Sequence, residues 1–241
     1  MRNSENVHRS GNLNDFYAKL AHKQACITAC QPSIERQRIL SKHVPTDSLL
    51  LDVGCWDGSF SQFLRGVKYV GVDINRQALE LAKQKGLDVI MASCDHLPFK
   101  DEAFDACSMI EVIEHLYSPE KTLREVYRIL KDNGKFLLAT PNFVNFIDRI
   151  NVLFGKHPIA GTEHQHIRFF TWKTLNALLE KCGFKLEKRE AWFIPFPTRT
   201  ITRKFPRWRK LMRMMARFFQ TLMKDYSENG EKLVNIYVKG Q

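Results

Sequence analysis

Long apolar runs are missing from this chain of 241 residues, and no stretch approaches the ~18 apolar residues needed to cross a bilayer. The opening segment, MRNSENVHRSGNLNDFY, lacks the apolar core of a secretory leader, so the expected compartment is the cytoplasm. Cysteine is sparse as well. Cys26, Cys30, Cys55, Cys94, Cys107 and Cys182 are scattered, several of them inside apolar runs, which argues against a disulfide framework and predicts buried free thiols. His22, Cys26 and Cys30 share one helical face, but no second ligand cluster lies near them, and core packing accounts for the spacing. There is no internal repeat and no low-complexity tract.

Acidic residues are absent from one region. Between Pro195 and Lys224 stand Arg199, Arg203, Lys204, Arg207, Arg209, Lys210, Arg213, Arg217 and Lys224 with no Asp or Glu, so most of the net charge of +11 is concentrated there. From Pro206 onward, Trp208, Leu211, Met212, Met215, Phe218, Phe219 and Leu222 follow helical spacing, with the cations largely on the rest of the wheel. Three roles fit this pattern. The helix lies on an anionic membrane surface through 199–224, making the protein peripheral to a membrane. Its apolar face packs on its own domain, with the charges solvated. Or its arginines meet RNA phosphates, although no recognised RNA-binding module accompanies them.

What is present is a regular alternation. Leu49–Val53, Lys68–Ile74, Asp88–Ser93, Phe104–Val112 and Lys135–Thr140 read as strands, followed by two late ones in FKLEKREAWF and KLVNIYV. Helices are expected over Asn14–Ala29, Ile34–His43, Ser59–Arg65, Arg76–Lys85, Glu120–Leu130 and from Thr171 through Cys182, with Gly86, Gly134 and Gly183 as stops. This is the pattern of an α/β protein whose mostly parallel sheet is covered by helices on both faces. Ligands of such sheets bind at the carboxyl ends of the strands.

Two motifs fall at those ends. LLLDVGCWDGSF leaves the first strand through Gly54 and Gly58, and Asp73 closes the second strand, where a carboxylate can take both hydroxyls of a ribose. The loop lacks G-x-G-x-x-G, which disfavours a dinucleotide. After the fourth strand, EVIEH sets Glu111, Glu114 and His115 at i, i+3 and i+4. If the chain turns helical there, all three face one way, and two carboxylates with an imidazole suit a divalent cation: Mg2+ or Mn2+ by the oxygens, Zn2+ by the nitrogen.

LLLDVGCWDGSF, VGVDI, LPFKDEAFDACSMIEVIEHL, RILKDNGKFLLATPN and HIRFFTWKTLNALLEKCGF resemble the successive motifs of class I S-adenosylmethionine (SAM)-dependent methyltransferases, over roughly residues 34–193 and the final strand. The resemblance implies a Rossmann-like, doubly wound, seven-stranded sheet in one domain over 1–241. Within it, 1–45 forms a helical cap, 141–170 an insertion at the acceptor site, and 195–228 a basic segment between the last two strands. It further implies that Asp52, Gly54 and Gly58 hold the methionine end of SAM and Asp73 the ribose, with Ile74 and Ile110 beside the cofactor. The acid that meets adenine in this family is replaced by Ser93, followed by Cys94 and Asp95, and all three are candidates for that contact. Trp56 replaces the usual middle glycine and is expected to point away from the cofactor or to cap its amino-acid end.

The E-x-x-E-H motif resembles that of ubiquinone-type O-methyltransferases and of small-RNA 2′-O-methyltransferases, in which a later histidine completes the metal site. That implies His166, or His164 beside it, as a fourth ligand with Glu111, Glu114 and His115. Without a metal, His166 and His115 are the candidate bases, and Glu111 lines the pocket. The N-terminal helices are expected to close over SAM from the other side, where Tyr17 and Arg36 could contribute, although packing or surface roles are the plainer reading of both. The expected activity is O-methylation of a small or lipid-linked acceptor. The alternatives are RNA 2′-O-methylation and a non-catalytic SAM- or membrane-binding module.

Overall fold

The computed structural model describes residues 34–158, 166–192, 214 and 232–240. The expected helix over 14–29, Tyr17, the His22–Cys26–Cys30 face, His164 and, Met214 apart, the basic segment 195–228 lie outside the described residues.

Leu49–Val53 (β1) is an unbroken apolar run save for Asp52 because the strand is covered on both faces, as central parallel strands are. It pairs in parallel with Lys68–Asp73 (β2) and with Phe104–Ile110 (β4); β2 pairs with Asp88–Met91 (β3) and β4 with Leu130–Pro141 (β5). Lys232–Lys239 (β7) inserts antiparallel between β5 and Phe184–Trp192 (β6), completing a seven-stranded sheet of order β3-β2-β1-β4-β5-β7-β6.

Helices cover both faces. Ile34–Ser41 (α1) adds Leu40 to a core that includes Leu50, Phe60, Leu137 and Val234. Arg76–Gln84 (α2) starts where the Asn75 side chain accepts the Ala78 N–H, one of the donors a helix start leaves unpaired. Pro119–Ile129 (α3) and Trp172–Lys181 (α5) send Leu123, Val126, Leu175 and Leu179 into the larger core on the opposite face. Thr171 caps α5 as the sequence leads one to expect, in a reciprocal pair with Thr174. Phe146–Leu153 (α4) follows β5 and is capped by Asn145. The four cysteines described, Cys55, Cys94, Cys107 and Cys182, are free thiols. Among the described residues, no helix is long and apolar enough to cross a membrane.

Two local expectations need correction. Gly134 does not end α3. The helix stops at Ile129, Leu130 is already extended, and Gly134 lies inside β5, where a Cβ would stand 2.8 Å from the Lys131 carbonyl oxygen. The segment after the glycine loop is a short 3-10 turn, Ser59–Phe63, rather than a helix reaching Arg65.

Candidate active site

The glycine loop is shaped from beneath. Gly54 and Gly58 have φ of 73° and 70°, the left-handed region where a side chain is costly. A Cβ on Gly54 would stand 2.3 Å from the Val112 side chain, and one on Gly58 would stand 2.2 Å from Leu87. The loop therefore comes close to its own protein, and Val112 joins it to the turn after β4. Trp56 also has a positive φ, 51°, so it takes the backbone shape of the glycine it replaces, with its side chain partly exposed. Its N–H donates to Asp73 Oδ2 at 2.9 Å, while the Asn75 N–H donates to Asp73 Oδ1 at 2.8 Å. Burial pushes the Asp73 carboxyl above its ordinary value. Each oxygen has taken one backbone donor and keeps acceptor capacity, a donor–acceptor match to the paired hydroxyls of a ribose. Ile74 leaves an apolar side chain exposed next to it.

Asp52 is nearly inaccessible. It accepts from Ser108 Oγ at 2.7 Å and from Tyr69 Oη at 2.8 Å, and burial pushes its carboxyl up to about 6. Both oxygens thus have protein partners within the sheet. On the other side of Asp73, the Ala92 N–H donates to the Asp73 carbonyl at 3.2 Å, which puts the Ser93–Asp95 turn directly beside the candidate ribose site. Ser93 is exposed, its Oγ accepting the Asp95 N–H at 3.3 Å, whereas Asp95 Oδ1 accepts from Thr122 Oγ1 at 2.5 Å with Cys94 Sγ 3.5 Å from the same hydroxyl. Ile110 is partly buried against the α1-side core.

The turn after β4 gathers a second set of groups. Ligand atoms of Glu114, His115 and His166 lie within 4.8 Å of one another, and the two imidazole rings are 4.9 Å apart. Backbone bonds hold them there. The N–H groups of Ile167 and Arg168 both donate to the Glu114 carbonyl at 3.1 Å, and Arg168 Nε donates to the Leu116 carbonyl at 2.9 Å. Glu114 is buried. Its Oε2 accepts from Thr140 Oγ1 at 2.9 Å, while Oε1 accepts no hydrogen bond and stands 4.0 Å from His166 Nε2. Burial, with the Glu111 carboxylate adding to it, pushes the Glu114 carboxyl well above its ordinary value. Ionising it requires a positive partner.

Glu111 does not join that cluster as the i, i+3, i+4 spacing leads one to expect. The helical turn spans only Ile113–His115, and Glu111 has φ of 57°, which turns it out of the series. Its carboxylate pairs with the Arg36 guanidinium from α1, in a largely buried ion pair. Arg36, which the sequence offers as a contributor to the cap over SAM or as a packing or surface residue, was not foreseen as the partner of Glu111. Its signal is position, since it lies one helical turn before the fully buried Leu40.

A mostly parallel sheet of this strand order, with a glycine turn after β1 and a carboxylate closing β2, has the architecture of SAM-dependent methyltransferases. The SAM-dependent methyltransferase of Archaeoglobus fulgidus superposes with a TM-score of 0.62 at 20% identity, over 93% of this chain and all of its own. A Burkholderia thailandensis N1-methyltransferase bound to S-adenosylhomocysteine superposes with 0.63 at 15% identity, over 95% of this chain and 88% of its own. In sequence, an uncharacterised protein of Methanocaldococcus jannaschii is 32% identical over 72% of this chain and 76% of its own length. The tRNA (carboxymethyluridine(34)-5-O)-methyltransferase of Arabidopsis thaliana is 31% identical over 40% of this chain, and the match spans only 24% of that enzyme. The chain belongs to the methyltransferase-domain family, whose model matches residues 22–189, and is a SAM-dependent methyltransferase.

Proposed function

We propose that the Glu114–His115–His166 cluster is the acceptor end of the active site and that the methyl group goes to an oxygen. The observation that carries this reading is the convergence of one buried carboxylate and two imidazoles within 4.8 Å, on the turn whose Val112 abuts the cofactor loop. SAM supplies a methyl group on a positive sulfur, an excellent leaving group. The protein's share is to align the acceptor, exclude water and remove its proton. An imidazole suits the last task near neutral pH, and the Glu114 carboxylate stabilises the imidazolium that results. Asp73, Gly54 and Gly58 remain our assignment for the cofactor side, with Ser93 the most accessible candidate for adenine. Asp52 ties β1 to β4 through Ser108 and to β2 through Tyr69.

The same donor set fits a divalent cation, because Glu114 Oε1 is buried without a hydrogen bond. Glu114, His115 and His166 would hold it, and two nitrogens to one carboxylate favour Zn2+ over Mg2+ or Mn2+. A cation there lowers the pKa of an acceptor hydroxyl. An RNA-borne oxygen is the second reading, supported by relatives named as tRNA methyltransferases and by the nine cations of 199–224.

The test is methyl transfer from labelled SAM to pooled small phenols and hydroxy acids, and separately to total tRNA, with wild type, Glu114→Gln and His166→Ala. Transfer to oxygen that falls at least 100-fold in both variants supports the reading. Transfer undiminished in both removes the cluster from the chemistry. Label entering tRNA alone selects the second reading, and sensitivity to chelation separates metal from base.

A further inference from the structure

The stretch from Asp95 to Glu102 contains neither strand nor helix, yet it is held as firmly as either. Thr122, Glu125 and Arg128 stand on one face of α3 at successive steps of three. Thr122 Oγ1 donates to Asp95 Oδ1 at 2.5 Å, and Glu125 Oε2 accepts the Leu97 N–H at 2.9 Å. Arg128 donates to the carbonyls of Leu97 at 3.0 Å and Phe99 at 2.8 Å, and to Asp101 Oδ1 at 2.8 Å. Its two other donors go to Glu125, from Nε at 2.9 Å and Nη2 at 2.8 Å. All five guanidinium N–H donors are therefore used, three of them on this one stretch. The reciprocal pairing lowers the Glu125 carboxyl from its ordinary value and raises Arg128.

The stretch begins beside Asp73, through the bond from the Ala92 N–H to the Asp73 carbonyl. If Asp73 holds the ribose, the base reaches this turn. Resting on that cofactor assignment, we infer that Thr122, Glu125 and Arg128 are positioning residues for the nucleoside end of the cofactor. They touch the turn and not the ligand. A flexible turn must be ordered on each binding event, whereas one fixed beforehand spares that cost.

The test uses S-adenosylhomocysteine and 5′-methylthioadenosine, which keeps the nucleoside and lacks the amino-acid end. Both are titrated calorimetrically into wild type, Thr122→Val, Arg128→Met and Arg128→Lys, below each protein's unfolding temperature. Thr122→Val and Arg128→Met weaken both ligands by the same factor, about tenfold. Arg128→Lys recovers only part of the loss, because a single ammonium nitrogen cannot reach acceptors spread around the planar five-donor fork. Thr122→Val preserves side-chain shape, so the test survives if Arg128→Met does not fold. Unchanged affinity for both ligands in the folded variants overturns the inference, as does a loss confined to S-adenosylhomocysteine. Wild type binding neither ligand is a different failure, since it removes the cofactor assignment underneath.

Discussion

Replacing Gly54 by alanine tests the claim that the loop is shaped by the protein below it. Two costs add. An alanine held at φ of 73° is disfavoured by about 1–2 kcal/mol. Its Cβ would also stand 2.3 Å from Val112 Cγ2, and forcing a methyl into occupied space costs about 1–3 kcal/mol. Gly54→Ala should therefore lose about 2–5 kcal/mol of stability, read as a lower urea midpoint at unchanged slope. Val112→Ala removes the offending methyl and leaves only its Cβ, 3.4 Å from the new one. The double variant should then be more stable than the two single losses predict, by about the 1–3 kcal/mol of the steric part, while the dihedral part persists. S-adenosylhomocysteine affinity should follow the same order, weakest in Gly54→Ala and partly restored in the pair. A Gly54→Ala protein within about 0.5 kcal/mol of wild type, or strict additivity in the double variant, would refute the reasoning.

Other outcomes follow from the same geometry. Asp52 holds its proton more tightly folded than unfolded, about 6 against 3.8, so its contribution to stability is full below the lower value and is lost as pH rises through the upper. Urea unfolding should show wild type gaining up to about 3 kcal/mol over Asp52→Asn between pH 7 and pH 4, and equal pH slopes in the two would contradict the assignment. Arg36→Met strands the Glu111 carboxylate in a largely buried setting and should cost about 3 kcal/mol, with Glu111→Gln added to it recovering most of the loss in thermal melts. Asp73→Ala should leave the fold near wild type by circular dichroism yet weaken S-adenosylhomocysteine by at least about tenfold in calorimetry, and undiminished binding would move the ribose elsewhere.

Much of this was legible in the sequence where the physics is local. LLLDV reads as a central strand because five residues with one interruption cannot be half-exposed, and Thr171 announces its helix through chemistry that needs no distant partner. The carboxylate at the end of β2 was readable from its place after VGV. Of the cluster of Glu114, His115 and His166, spacing gives the first two and the resemblance names His166, but the backbone bonds that carry His166 there across some fifty residues are not visible in the sequence. Glu111 was misplaced because helical spacing assumes a helix, and the chain bends before one begins. Arg36 could not be seen as a buried ion-pair partner without knowing that α1 docks on the sheet. Gly134 looked like a helix stop, as glycines after KDN do, but a close carbonyl inside β5 is what requires it.

The insertion of β7 has a consequence for how the molecule is made. Among the described residues, β6 pairs its backbone with the sheet through β7 alone, and 39 residues separate Trp192 from Lys232. Until β7 arrives, a nascent chain exposes open backbone on both β5 and β6, two parallel-running edges that cannot simply zip together in the finished arrangement. The last slot is filled by a strand that must find two neighbours at once and reverse direction between them, a late and entropically demanding step. Unpaired strand edges are the general route by which folding intermediates associate, so the chain is most exposed to that hazard before β7 is in place.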